Sequence, residues 1–142
     1  MTYLLDTCLV SELVAKQPNP NAIQWFKSQS PKTLYLSVIT MGEIARGVGK
    51  LVPSKRKDNL QRWLDEELPN QFSERILGID TQTMRIWGDL VGRLEQKGRP
   101  LPVMDSLIAA TAFQHSLSLV TRNESDFAGT TVTIVNPWVG AD

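Results

Sequence analysis

The feature that most narrows what this chain can fold into is an alternation of two hydrophobic patterns. Five short segments rich in β-branched or aliphatic residues recur along it: Thr2–Leu5, Leu34–Ile39, Arg75–Ile79, Leu117–Thr121 and Thr131–Val135. Each is four to six residues long and lacks strict polar alternation, as expected of strands buried on both faces. Between them the apolar residues recur at helical period. Val10–Val14 continues, after the Pro18-Asn19-Pro20 break, into Ile23–Phe26. Thr40–Lys50 and Lys55–Leu68 form another pair. Thr81–Lys97 places Met84, Trp87, Leu90, Val91 and Leu94 on one face, and Pro102–His115 does the same with Ile108, Ala109, Ala112 and Phe113. Strands alternating with helices give an α/β fold, with a mostly parallel central sheet of about five strands flanked by helices. The 142 residues suffice for a single domain, 1–142, and leave no room for a separate cofactor module.

Charge and composition limit the chemistry. Fifteen basic residues balance fifteen acidic ones, so no global field draws the chain to a polyanion, and any nucleic acid must be gripped locally. The single cysteine, Cys8, excludes an internal disulfide or a Cys-rich zinc site, and the single histidine, His115, excludes a site built from several. The N-terminus runs straight into an apolar strand with no basic segment and long apolar stretch behind it, so no signal peptide is expected. No apolar run approaches the ~20 residues that span a bilayer. A cytoplasmic protein with no membrane association is expected.

In a parallel sheet the ligand crevice lies beyond the carboxyl ends of the strands, and acids collect there. Asp6 follows the first strand, Glu43 lies four residues after the second, Asp80 ends the third, and Asp126 lies five past the fourth. Asp105 sits in the first turn of the helix opening at Pro102. Each has a purely structural reading. Asp6 suits an N-cap, Thr40-Met41-Gly42-Glu43 fits a capping box, Asp105 complements a helix dipole, and Asp126 suits a turn. Asp105 resists most, because it shares an apolar stripe with Ile108, Ala109 and Ala112, where an unpaired carboxylate is costly. Convergence of Asp6, Glu43, Asp105 and Asp126 would demand a counter-charge, since two unit charges ~5 Å apart repel by roughly 3 kcal/mol at an effective dielectric near 20. A hard dication such as Mg²⁺, with Mn²⁺ as a substitute, would supply it, and such a site serves phosphoryl chemistry. No organic cofactor is implied.

The acids lie in stretches that resemble a known family. Leu5-Asp6-Thr7-Cys8-Leu9-Val10-Ser11-Glu12 resembles the start of PIN-domain ribonucleases of the VapC toxin type. Leu36–Gly47 around Glu43, Pro102–Ala112 around Asp105, and Leu119–Phe127 around Asp126 resemble their later acidic motifs, in the family's order. The resemblance implies a compact PIN-like α/β sandwich and Mg²⁺-dependent endonucleolytic cleavage of RNA. It also implies a toxin restrained by a cognate VapB-type antitoxin, and a homodimer. Motif by motif, it implies Asp6, Glu43, Asp105 and Asp126 as the catalytic acids. Asp6 and Asp105 would be direct metal ligands, and Glu43 and Asp126 would act directly or through water. Thr121 and Asn123 match supporting polar positions. Cys8 departs from the pattern, since many relatives carry Asn there and a thiol is a poor hydrogen-bond partner for a carboxylate. An acidic pocket of this kind is most simply blocked by an inserted Arg or Lys, or by loss of its metal.

The remaining features read as structural. Lys55-Arg56-Lys57, with Lys50 and Arg62, could track an RNA backbone, but a solvated helix start is the blander account. Trp25, Trp63 and Trp87 fall on apolar helix faces, Trp138 is expected to be exposed, and His115 ends a helix. Three rival functions are weaker. An aspartyl phosphatase would want a second Asp where Cys8 stands. A phospho-acceptor domain using Asp80 would want a Lys after the fifth strand, where Val135-Asn136-Pro137 offers none. A catalytically silent binding module would not need all four acids.

Overall fold

The computed structural model describes residues 1–139. Five strands, β1 (Tyr3–Leu5), β2 (Leu34–Ser37), β3 (Ile76–Leu77), β4 (Ser118–Val120) and β5 (Ile134–Val135), form one sheet in the order β3-β2-β1-β4-β5. Every neighbouring pair is parallel, with Leu4 opposite both Tyr35 of β2 and Leu119 of β4. The α/β architecture expected from the alternation is therefore present. Each strand is shorter than its apolar segment. Arg75 and Thr131–Thr133 fall outside the strands, and Val38 and Ile39 already belong to a helix.

The helices are α1 (Thr7–Glu12), α2 (Pro20–Ser28), α3 (Val38–Gly49), α4 (Lys55–Arg62), α5 (Leu68–Gln71), α6 (Thr81–Gln96), α7 (Val103–Gln114) and α8 (Glu124–Phe127). Because side chains alternate across a strand, Leu4 and Leu5 enter different cores. Leu5, with Leu36 and Val120, packs against Leu9 and Val10 of α1, Leu64, Leu68 and Phe72. Leu4, with Leu119, packs against Leu90 and Leu94 of α6 and Ile108, Ala109 and Ala112 of α7. The sheet is thus covered on both faces.

Several local expectations are corrected. Helix α3 starts early because the Ser37 hydroxyl accepts the Ile39 N–H at 3.0 Å, so Thr40 is a buried residue inside the helix and no capping box forms there. The stretch Lys55–Leu68 is one continuous path, but residues Trp63–Glu67 wind as a π-turn before α5. Pro69, near the start of α5, explains this, since proline lacks an N–H for its i−4 carbonyl and clashes with that carbonyl in a regular α-helix. Met84 and Phe113, expected on apolar faces, are 41% and 54% exposed. The buried stripe of α6 runs through Thr83, Leu90 and Leu94, one residue away from Met84. Trp138, expected to be exposed, packs against the first core.

Asp80 has the structural role. It caps α6, its carboxylate accepting the Thr83 N–H while Thr83 returns a bond to the Asp80 N–H, and Gln114 of α7 donates to it as well. These bonds hold its carboxyl below the usual carboxylate range. It follows β3, a sheet edge separated from β1 by β2, so the phospho-acceptor reading loses its site. The basic run on α4 is also structural: Arg56 donates to the Val14 carbonyl, and Lys57 Nζ to the Leu51 carbonyl at 2.9 Å.

Candidate functional site

The chain steps from β1 to β2 to β3 across one half of the sheet, then returns to place β4 on the other side of β1. The point where strand order reverses leaves a crevice beyond the carboxyl ends of β1 and β4. Asp6 and Thr121, the first residues after those strands, both face it. The Asp6 N–H still bonds the Val120 carbonyl at 2.9 Å, and the Thr121 N–H bonds Val135, so both residues are fixed by the sheet itself.

Asp6 is 4% exposed and satisfied on each oxygen. Its Oδ1 accepts the Thr7 N–H at 2.8 Å, which makes it the N-cap of α1, and its Oδ2 accepts the Thr121 hydroxyl at 2.7 Å. Cap and candidate ligand are therefore the same residue, since each carboxylate oxygen keeps a second acceptor site. Thr121 is fully buried and accepts the Asn123 N–H at 3.1 Å. Asn123 supports the site through its backbone, while its side chain is exposed and makes no capping bond to α8. Cys8 lies in the same cluster, its Sγ 3.6 Å from both Asp6 Oδ2 and Thr121 Oγ1. Burial, and then the Asp6 charge, push the Cys8 thiol up, so it stays protonated and can donate weakly to Asp6.

Glu43 comes from α3. It does not reach back to Thr40 as a capping box would require. Instead Glu43 Oε1 accepts the Thr7 hydroxyl at 2.6 Å, and the buried Thr40 hydroxyl lies 3.0 Å from Thr7 Oγ1. Thr7 thus grips two acids at once, Asp6 with its N–H and Glu43 with its O–H. Sequence reasoning missed Thr7 and Thr40. The one available signal was that Thr7 adjoins Asp6 and Thr40 precedes Glu43 by less than a helical turn, which is too common a pattern to stand out.

Asp105, in the first turn of α7, is half-buried, and its carboxyl is pushed up to about 6. Burial contributes most, followed by the negative charges of Asp6, Glu43 and Asp126. Three acids from different parts of the chain therefore act on one carboxyl. Asp126, in α8, is exposed, and its negative charge still reaches Asp105. Among the described residues, no three His, Cys, Asp or Glu side chains are drawn together tightly enough to hold an ion as they stand. Mutual repulsion keeps such acids apart unless a cation is held between them. The donor set still fits a small hard cation. Mg²⁺ keeps several waters and takes only one or two carboxylates directly, a pattern that Asp6 and Asp105 could meet with Glu43 and Asp126 behind water.

A model of the PIN domain family matches residues 3–131. The chain belongs to the PIN-domain family. Over 135 residues this PIN domain is 36% identical to Toxin FitB of Neisseria gonorrhoeae, covering 95% of the chain and 97% of that protein. It is 33% identical over 135 residues to the VapC ribonuclease Y4jK of Sinorhizobium fredii, covering 95% and 96% of the two. The solved structure of FitAB bound to an IR36 DNA fragment superposes on the PIN domain with a TM-score of 0.94 at 33% identity, covering 99% of each chain. No helix among the described residues of the PIN domain is long and apolar enough to cross a membrane.

Proposed function

We propose that this PIN domain is a metal-dependent endoribonuclease that acts in the cytoplasm, as a homodimer, as the toxin of a toxin–antitoxin pair. The observation that carries the reading is the state of Asp105, raised by burial and by Asp6, Glu43 and Asp126 together. A crevice that gathers acids against their own repulsion is built for a cation. The names of similar proteins, a toxin and a VapC ribonuclease, support the reaction class.

Asp6 and Asp105 would hold Mg²⁺ or Mn²⁺, with Glu43 and Asp126 orienting its water shell. When bound, such an ion supplies a lowered pKa for a coordinated water and charge stabilisation on the phosphate oxygens. The chain's own residues do the rest. Thr121 and the Thr7 N–H keep the Asp6 carboxylate in one orientation. Thr7 fixes the Glu43 carboxylate, whose free oxygen can take a proton from an attacking water. Asp126 adds negative charge at the exposed edge of the site.

The test measures cleavage of RNA with added Mg²⁺ or Mn²⁺ by wild type, Asp6→Asn and Asp105→Asn. Both substitutions keep side-chain shape and remove a charge, and each is expected to lower the rate at least a hundredfold. Full activity in either would overturn the reading. Wild type is expected to arrest growth when expressed alone, and a VapB-type partner to relieve the arrest by placing a cationic side chain in the acidic crevice. The FitAB complex, solved on DNA, supports a partner of this kind.

A further inference from the structure

Beside the acidic crevice stands a cation that the mechanism above does not use. Arg122 directly follows Thr121, whose hydroxyl holds Asp6. Its guanidinium lies over the ring of Trp138, with Cζ 5.9 Å from the centroid. Trp138 is held from several sides. Asn136 Oδ1 accepts its N–H at 3.0 Å, Asn21 donates to its carbonyl at 3.3 Å, and its ring packs against the core. Glu124, two residues further on, accepts a hydrogen bond from the Asn136 side-chain amide at 3.0 Å.

The indole carries a cost. Trp138 Nε1 is buried and, among the described residues, has no hydrogen-bond partner. A phenylalanine or leucine would pack without leaving an orphaned donor. What only tryptophan offers is the best aromatic face for a cation. The orphaned donor is therefore explained if the face matters more than the edge.

An RNA substrate brings one negative charge per nucleotide to a crevice lined with acids, on a protein of zero net charge. The scissile phosphate can be met by the metal, but its neighbour needs a cation outside it. A guanidinium stacked on an aromatic ring keeps its planar fork of donors free for a phosphate. It also loses little freedom on binding, because its position is already fixed. We propose that Arg122, laid across Trp138 at the mouth of the acidic crevice, is a phosphate-binding subsite that receives the RNA backbone beside the scissile bond. This rests on the ribonuclease reading and names the group that would position its substrate.

The experiment uses the full chain, a short fluorescein-labelled single-stranded RNA, and steady-state cleavage with Mg²⁺. Arg122→Gln, a surface change that does not threaten folding, should raise KM about tenfold with kcat nearly unchanged. It should also flatten the dependence of log affinity on log salt by about 0.7, the loss of one single-strand phosphate contact. Arg122→Lys should recover part of the affinity, because it keeps charge but not the planar fork. Trp138→Leu, checked by circular dichroism, should move KM in the same direction by a smaller factor. Mn²⁺ binding by calorimetry should match wild type in all three. Wild-type KM and salt slope in Arg122→Gln would overturn the proposal, as would a fall in kcat alone or weakened Mn²⁺ binding, either of which would place Arg122 in support of the acids. If wild type neither binds nor cleaves the RNA, the ribonuclease reading fails and takes this subsite with it.

Discussion

Asp105 carries a cost for the metal-free fold. Its folded-state pKa of about 6 lies above the ordinary 3.8, so the native protein keeps this proton to higher pH than the unfolded chain does. The contribution of this residue to metal-free stability therefore falls as pH rises through the window from about 4 to 6 and is level above it. Asp105→Asn removes the charge and most of the repulsion. Without metal, it should melt above wild type at pH 7.5, with the gap closing toward pH 4, as read by differential scanning calorimetry. A gap that stays constant with pH would mean that the acids do not act on Asp105. Thr7 permits a second prediction at this scale. Thr7→Val keeps the volume and the bond from its N–H to Asp6 but frees Glu43 from its 2.6 Å hydrogen bond. Outer partners of metal-site ligands are worth roughly 10–100-fold in affinity or activity. Thr7→Val should lose RNA cleavage within that range, and Thr7→Ser should restore most of it. Loss of equal size in both would assign Thr7 to packing alone.

At the level of elements, the helices and strands were legible because their apolar periods differ, and the two cores follow from that periodicity. Their ends were not. Strand β2 stops at Ser37 because one hydroxyl caps α3, and a serine at that place carries no period of its own. The π-turn at Trp63–Glu67 is a response to Pro69, whose presence was visible but whose remedy depended on Leu64 and Leu68 both reaching the core. Asp80 illustrates the same limit from the chemical side: on sequence it stands at a strand end like Asp6, and only strand order tells them apart. At the edge of the sheet it is a cap with its bonds to Thr83 and Gln114 complete. Asp80→Ala should therefore lower the melting temperature by a few degrees, as loss of an N-cap does, and leave RNA cleavage at the wild-type level. A large loss of activity without unfolding would return Asp80 to the list of functional acids.

At the level of the whole molecule, the four acids proposed for the site could be picked out as residues, and so could Thr121 beside them, whereas Thr7 and Thr40 could not. Asp6, Glu43, Asp105 and Asp126 lie in separate segments, and it is the reversal between β1 and β4 that makes them neighbours. Thr7 and Thr40 gained their roles only from that proximity, because a hydroxyl becomes a positioning group through what stands opposite it. If the proposed cation binds there, the fold and the cation are interdependent. A cation that binds only the native state stabilises it by mass action, by about 2.7 kcal/mol at a hundred times its dissociation constant. For a domain of this length that is a rise in melting temperature on the order of 10 °C. The rise also has a required pH dependence. An ion must displace the Asp105 proton below about pH 6, so Mn²⁺ should raise the melting temperature strongly at pH 7.5 and far less at pH 5, and a chelator should reverse the gain at both. Asp6→Asn and Asp105→Asn should each flatten the response at pH 7.5, whereas Asp80→Ala should leave it intact. Scanning calorimetry across Mn²⁺ concentration reads all of this without RNA, so it probes the crevice independently of the substrate. A response equal at the two pH values, or unchanged in Asp105→Asn, would mean that the ion binds elsewhere and that the acids converge for some purpose other than holding it.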